Sequence, residues 1–105
     1  HQTLHEVLPT LASELHDLLR QAGEAVLAAE VESLHIVDRC RCKDDFCAMF
    51  YTQPRPVGAY GAGHRNVALA PRQGELILDV VDDRIMADEV LFRDDVRSTL
   101  LRLLP

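Results

Sequence analysis

The chain has no tryptophan and only 5% aromatic residues, so leucine, valine and alanine must fill its core. It is poor in positive charge, because 11 lysines and arginines stand against 17 aspartates and glutamates, and the formal net charge is −6. An acidic chain without a basic stripe does not attract a phosphate backbone, so nucleic acid is not an expected partner. No apolar run approaches the roughly 20 residues that cross a bilayer, so a membrane is not expected either.

Cysteine is scarce as well. Three cysteines are an odd number, unlike the paired set of a secreted disulfide scaffold. The first residues also lack the basic start, apolar stretch and small-residue cleavage site of a signal peptide. We therefore expect a cytoplasmic protein. The sequence begins at His1, so a segment preceding it would not be seen.

The spacing of apolar residues predicts one α+β domain over residues 1–105. Leucines recur every three or four residues from Leu4 to Leu19, which is the period of an amphipathic helix. The main helix is expected to begin near Pro9, after a looser turn, and to end at Gly23; residues 24–31 then complete a helical hairpin. A final apolar stripe predicts a C-terminal helix. Between the helices the period changes to two, and an antiparallel β-meander of about five strands is predicted over 34–40, 46–52, 66–70, 75–81 and 84–92.

The densest chemical signal is the group Cys40, Cys42 and Cys47 on the first predicted hairpin. If residues 44–45 form a two-residue turn, Cys42 faces Cys47 and Cys40 faces Met49 across the strands. Three thiols would then gather at one end of the hairpin. The plain alternative is that they pack the strand as small apolar side chains, since free cysteine is often buried.

Two functions fit such a cluster. One is a zinc site, which needs a fourth ligand, and His35 or His64 is a candidate for it. The other is a redox-responsive disulfide between Cys42 and Cys47, with Cys40 nearby for thiol exchange.

A glycine-rich loop over residues 54–66 is the longest irregular stretch, well beyond the roughly four to six residues typical of connections. Its glycines allow close backbone approach to a ligand, and its side chains suit an anion. The candidate ligand-binding residues are Arg55, Tyr60, His64 and Arg65. The glycine order matches neither a dinucleotide fingerprint nor a P-loop. The alternative interpretation is that the loop only connects two edges of the sheet.

The last predicted hairpin raises the question of a buried carboxylate. With a two-residue turn, Leu78 pairs with Ala87, and Glu89 then lies on the core face. Asp79 and Asp88 would face solvent. A carboxylate on the core face would be a site candidate, although at a sheet edge it would reach water or an arginine.

Part of the sequence resembles small actinobacterial proteins that carry a Cys-X-Cys-X4-Cys hairpin. The resemblance rests on Ile36-Val37-Asp38-Arg39-Cys40-Arg41-Cys42-Lys43-Asp44-Asp45-Phe46-Cys47, with residues 61–67 and 77–91. It implies a bacterial, cytoplasmic protein and brings no catalytic assignment.

The sequence contains no catalytic motif, because its three serines lie in or beside helices without a strand–turn–helix elbow. An enzyme is therefore not the expected class. The leading hypothesis is a non-enzymatic binding or interaction module that uses loop 54–66. Its expected partner is a small anionic ligand or a protein, including a second copy of the chain, and it needs no cofactor. The alternative hypothesis is the thiol module at the three cysteines, either redox-responsive or zinc-binding.

Overall fold

Helices lie before and after a five-stranded antiparallel sheet in the computed structural model, which describes residues 1–105. The helical segments are α1 (Leu4–Val7), α2 (Pro9–Gln21), α3 (Ala25–Glu30), a 3-10 turn (Val31–Ser33) and α4 (Asp94–Leu103). The strands are β1 (Asp38–Arg39), β2 (Phe50–Tyr51), β3 (His64–Leu69), β4 (Glu75–Val81) and β5 (Arg84–Leu91). The predicted α+β class is confirmed. No helix is both long enough and apolar enough to pass through a membrane.

Local sequence signals set the bounds of the first helices. The segment before Pro9, expected to be a loose turn, forms α1 because Thr3 and Glu6 make a capping box. The Thr3 hydroxyl accepts the Glu6 backbone N–H, and the Glu6 carboxylate accepts the Thr3 backbone N–H. Pro9 then opens α2, where its missing N–H costs nothing. Gly23 adopts a φ of +77°, which ends the helix before α3 begins.

The strands are not arranged in chain order, because the sheet runs β1-β2-β5-β4-β3. The glycine-rich loop therefore crosses from β2 to the far edge of the sheet. Strands β1 and β2 have two residues each, shorter than the runs predicted at 34–40 and 46–52. The chain before β2 pairs irregularly with β5 instead: Ala48 donates its backbone N–H to Val90, and Cys47 forms an isolated bridge with Leu91.

One face of the sheet packs against all the helices and forms the core. Its apolar cluster of 21 buried residues draws on α1, α2, α3, α4 and alternate residues of the strands, such as Leu76, Leu78 and Val80 of β4. We call the opposite side of the sheet the second face. Tyr51 and Ala87 are buried there but lie outside that cluster.

The β4–β5 hairpin turns where predicted and then departs from the predicted register. Asp82 and Asp83 both have positive φ, at 48° and 61°, which is the signature of a type I′ two-residue turn. A bulge follows, because Val80 pairs with Ile85 whereas Asp79 pairs with Ala87, two residues further along β5. Every later side chain of β5 therefore changes face.

The bulge overturns the predicted faces of two carboxylates, and the predicted exposure of a third is wrong as well. Asp88, expected in solvent, lies on the core face opposite Leu78 and is 1% exposed. Glu89, expected on the core face, lies on the second face instead. Asp79, also expected in solvent, is buried on the second face.

Candidate functional site

The three cysteines converge at the tip of the β1–β2 hairpin. Their Sγ atoms all lie within 4.8 Å of one another. The predicted register holds, since Cys40 donates its backbone N–H to the Met49 carbonyl at 2.9 Å. The turn itself lies one residue later than predicted, and Cys47 closes it by donating its N–H to the Asp44 carbonyl at 3.2 Å. The sequence therefore brings the thiols together as predicted, although by a different turn.

The surroundings shift the pKa values of two thiols in opposite directions. The backbone N–H of Asp44, followed by the neighbouring thiols, lowers the pKa of Cys42. Burial, opposed by the backbone N–H of Met49, raises the pKa of Cys47 to about 11. Cys42 is exposed and Cys47 is half-buried, so the first is the more acidic thiol.

Helix α4 closes the inner side of this cluster. A cavity of about 20 Å³ lies between the cysteines and α4, and Arg97, Leu100 and Leu101 line it from the helix. Arg39 lines it from β1 and donates to the Leu104 carbonyl, which fixes the end of the chain against the hairpin. Cationic side chains therefore border the thiols on the side away from solvent.

Neither histidine proposed as a fourth zinc ligand lies with the thiols. His64 is on β3, at the edge of the sheet opposite β1. Four inter-strand spacings of about 4.8 Å separate these edges, a distance of roughly 19 Å. His35 pairs with Thr3 beside α1. The gathered donor set consists of Cys40, Cys42 and Cys47 alone.

Three of the four candidate residues of the glycine-rich loop gather on the second face of the sheet. The Arg55 guanidinium lies over the Tyr51 ring, 5.6 Å from its centroid, and forms no ion pair. The Tyr60 ring lies against the His64 ring with centroids 4.9 Å apart. Tyr51, Arg55, Tyr60 and Gly58 border a cavity of about 270 Å³, together with Met49 and Pro56.

The fourth candidate, Arg65, points to the other side of the strand. Its guanidinium makes two bonds of 2.9 Å to the Glu24 carboxylate and a third contact of 3.5 Å to Asp83. The bond to Glu24 raises the pKa of Arg65, and the Arg65 guanidinium lowers the pKa of Glu24. The structure thus uses Arg65 to tie the start of α3 to the β3 edge, and it does not bring Arg65 to the cavity.

Sequence reasoning missed a polar cluster on the second face. Asp79 Oδ1 accepts bonds from His64 Nε2 at 2.9 Å and from Asn66 Nδ2 at 2.8 Å. Glu89 lies beside them, and burial, followed by the charge of Asp79, raises its pKa. The β3–β4 register alone would have placed His64, Asn66 and Asp79 on one face. Glu89 had no such signal, because only the bulge puts it there.

Comparisons with protein-family models, curated proteins and solved structures find no match. Only the geometry of the chain therefore bears on its function. Two places hold grouped, chemically capable side chains: the cysteine cluster, close enough to bind a metal ion, and the cavity under the glycine-rich loop. The cysteine cluster is the more specific, because three identical soft donors converge on one point.

Proposed function

We propose that this chain is a metal-binding module that holds one thiophilic divalent cation of the zinc class on Cys40, Cys42 and Cys47. The observation that carries the proposal is the mutual approach of the three Sγ atoms to within 4.8 Å. A tetrahedral zinc ion with bonds of about 2.3 Å to sulfur needs sulfurs roughly 3.8 Å apart. The sulfurs therefore need to approach one another by about 1 Å or less, through side-chain rotation, to reach the spacing of a zinc-bound site.

The hairpin also supplies what thiolate ligands need beyond the metal. The backbone N–H groups of Asp44 and Met49 favour the thiolate forms of Cys42 and Cys47, and such polar groups beside metal ligands stabilise their negative charge. Arg97 and Arg39 border the same cavity and offset the charge of three thiolates. Because binding needs reduced cysteines, a cytoplasmic location belongs to the proposal.

A disulfide between Cys42 and Cys47 is the competing use of the same residues. Their cross-strand position suits such a bond. A metal ion uses all three thiols that lie within 4.8 Å of one another, whereas the disulfide joins two of them and leaves Cys40 for thiol exchange.

Native mass spectrometry of protein incubated with zinc tests this proposal. We expect one zinc per wild-type chain. Cys42→Ser removes a metal ligand. It should weaken zinc binding by more than the roughly 10- to 100-fold that is lost when a group hydrogen-bonded to a ligand is removed. Lys43→Ala is the matched control, since Lys43 is an exposed neighbour that does not line the cavity, and it should keep the zinc. A metal-free chain with three alkylatable thiols, or a mass two daltons low, would contradict the proposal.

A second candidate function is the binding of a small anionic ligand under the glycine-rich loop. It is favoured by the unpaired guanidinium of Arg55 beside a cavity floored by Tyr51 and Tyr60. The carboxylate or phosphate group of the ligand would pair with the Arg55 guanidinium, and the apolar part of the ligand would pack on the two tyrosine rings. The test is a thermal-shift screen of such anions on wild type, Arg55→Gln and the exposed control Arg84→Gln. Stabilisation that survives Arg55→Gln would contradict this assignment.

A further inference from the structure

We infer that the proposed metal site keeps its fourth coordination position open for an exchangeable ligand from solution, with a small thiolate as the class that fits best. This inference rests on the proposed function. Structural zinc sites are closed by four protein ligands, whereas sites with three protein ligands leave the remaining position to water or substrate. The chain gathers three cysteine sulfurs, and no histidine, aspartate or glutamate ligand atom joins them.

The position is reachable from solvent. Cys42 is exposed, whereas Cys40 and Cys47 are half-buried, so one side of the cluster opens outward. The hairpin tip carries no covering element, since the residues from Arg41 to Asp45 are all exposed. A ligand in solution can therefore approach the sulfurs without any opening of the fold.

Asp44 is the one acidic residue that lines the cavity beside the sulfurs, so its carboxylate is the group of the chain that competes for this position. Its carboxylate oxygens do not belong to the group of ligand atoms that lie within 4.8 Å of one another. The adjacent Asp45 is equally exposed but does not line the cavity, which makes it a matched control.

The bordering arginines balance the negative charge of the site. Three thiolates, a divalent cation and the Asp44 carboxylate leave two negative charges, and the side chains of Arg39 and Arg97 carry two positive charges, so an anionic ligand meets no net repulsion. The half-buried Arg97 forms no ion pair. The cavity of about 20 Å³ between the sulfurs and α4 has room for only one water-sized group, so the ligand enters from the exposed side, beside Cys42. Small thiolates have the softness that a thiolate-bound metal prefers.

Cobalt(II) substitution tests the open position, because the visible bands of the ion report its fourth ligand. We expect 2-mercaptoethanol, added to the cobalt-loaded full chain, to shift those bands and to raise the thiolate-to-cobalt band. Asp44→Asn and Asp45→Asn should both give the wild-type spectrum before and after addition. Arg97→Gln should raise the half-saturating thiol concentration several-fold, while Arg102→Gln, which lies on α4 away from the cavity, should not.

Each other result has a defined meaning. If cobalt binds but the thiolate-to-cobalt band stays constant or falls, the open position is overturned while the metal site stands. If Asp44→Asn alone changes the spectrum, Asp44 fills the position and the inference is overturned. If neither cobalt nor zinc binds to correctly folded wild-type protein, the proposed function fails together with the inference.

Discussion

Replacement of Asp88 by asparagine should stabilise the protein at neutral pH. Asp88 lies on the core face of β5 between Phe50 and Leu78, and neither of its carboxylate oxygens has a hydrogen-bond partner. Burial raises the pKa of Asp88 well above its usual range, and the charges of Glu14 and Glu89 add to the rise. Arg93 opposes it only in part, because its guanidinium is engaged by Glu14 at 2.8 Å.

The sign of the pH dependence follows from that direction. A carboxyl with a raised folded-state pKa binds its proton more tightly in the folded chain than in the unfolded chain. The stability of wild type is therefore fully present below the unfolded pKa, about 3.9, and is lost as pH rises toward the folded pKa. The loss is about 1.4 kcal/mol per pH unit, and at pH 7 it cannot exceed roughly 4 kcal/mol, since about three units separate 3.9 from 7. Asparagine has nearly the same shape and does not titrate.

Urea denaturation of wild type and Asp88→Asn from pH 4.5 to 8 measures this difference. The stability advantage of the variant should grow with pH by about 1.4 kcal/mol per unit and level off above the folded pKa of Asp88. Asp45→Asn removes an exposed carboxylate and should show no such growth. A difference between Asp88→Asn and wild type that stays constant across the pH range would refute the reasoning.

Three further substitutions test local features, each by the free energy of unfolding in urea. Thr3→Ala removes the capping box of α1 and should cost about 1 kcal/mol. Gly74→Ala should cost more than the roughly 1–2 kcal/mol of a left-handed alanine, because its Cβ would also collide with the Leu91 carbonyl. Gly58→Ala is the control, because a Cβ at this position contacts no other atom, and it should cost only the free energy of a left-handed alanine. Asp83→Gly should stabilise by about 0.5 kcal/mol, since its φ of 61° suits glycine; a loss would show that the contact with Arg65 matters more.

Features set by neighbouring residues could be predicted from the sequence. The end of α2 at Gly23 and the turn at Asp82 and Asp83 each depend on a few consecutive residues with a defined backbone preference. Strand β4 was predicted over its full extent of 75–81, because its apolar residues pack as a continuous run. Strands β1 and β2 are shorter than predicted. The run of strand-forming residues extends before β2, but there the chain leaves the β1–β2 pairing and contacts β5 instead.

Features that depend on the partner strand could not be predicted. The bulge opposite Asp79 and Val80 adds one residue to β5, and nothing in the sequence of β5 marks it. That single residue exchanges the faces of Asp88 and Glu89, which moves one carboxylate into the core and another beside Asp79. An error of one residue in register thus produced both errors of burial.

The same distinction between local and long-range determinants explains what could be predicted of the candidate site. Cys42 and Cys47 are joined by one short turn, and a shift of that turn by one residue still leaves the three sulfurs within 4.8 Å of one another, because Cys40 keeps its pairing with Met49. Any ligand from beyond the hairpin depends on strand order instead, which placed His64 at the opposite edge of the sheet. The proposed metal site is confined to one hairpin, so its fourth ligand is either the Asp44 carboxylate of that hairpin or a group from solution, and the cobalt spectra distinguish these two ligands.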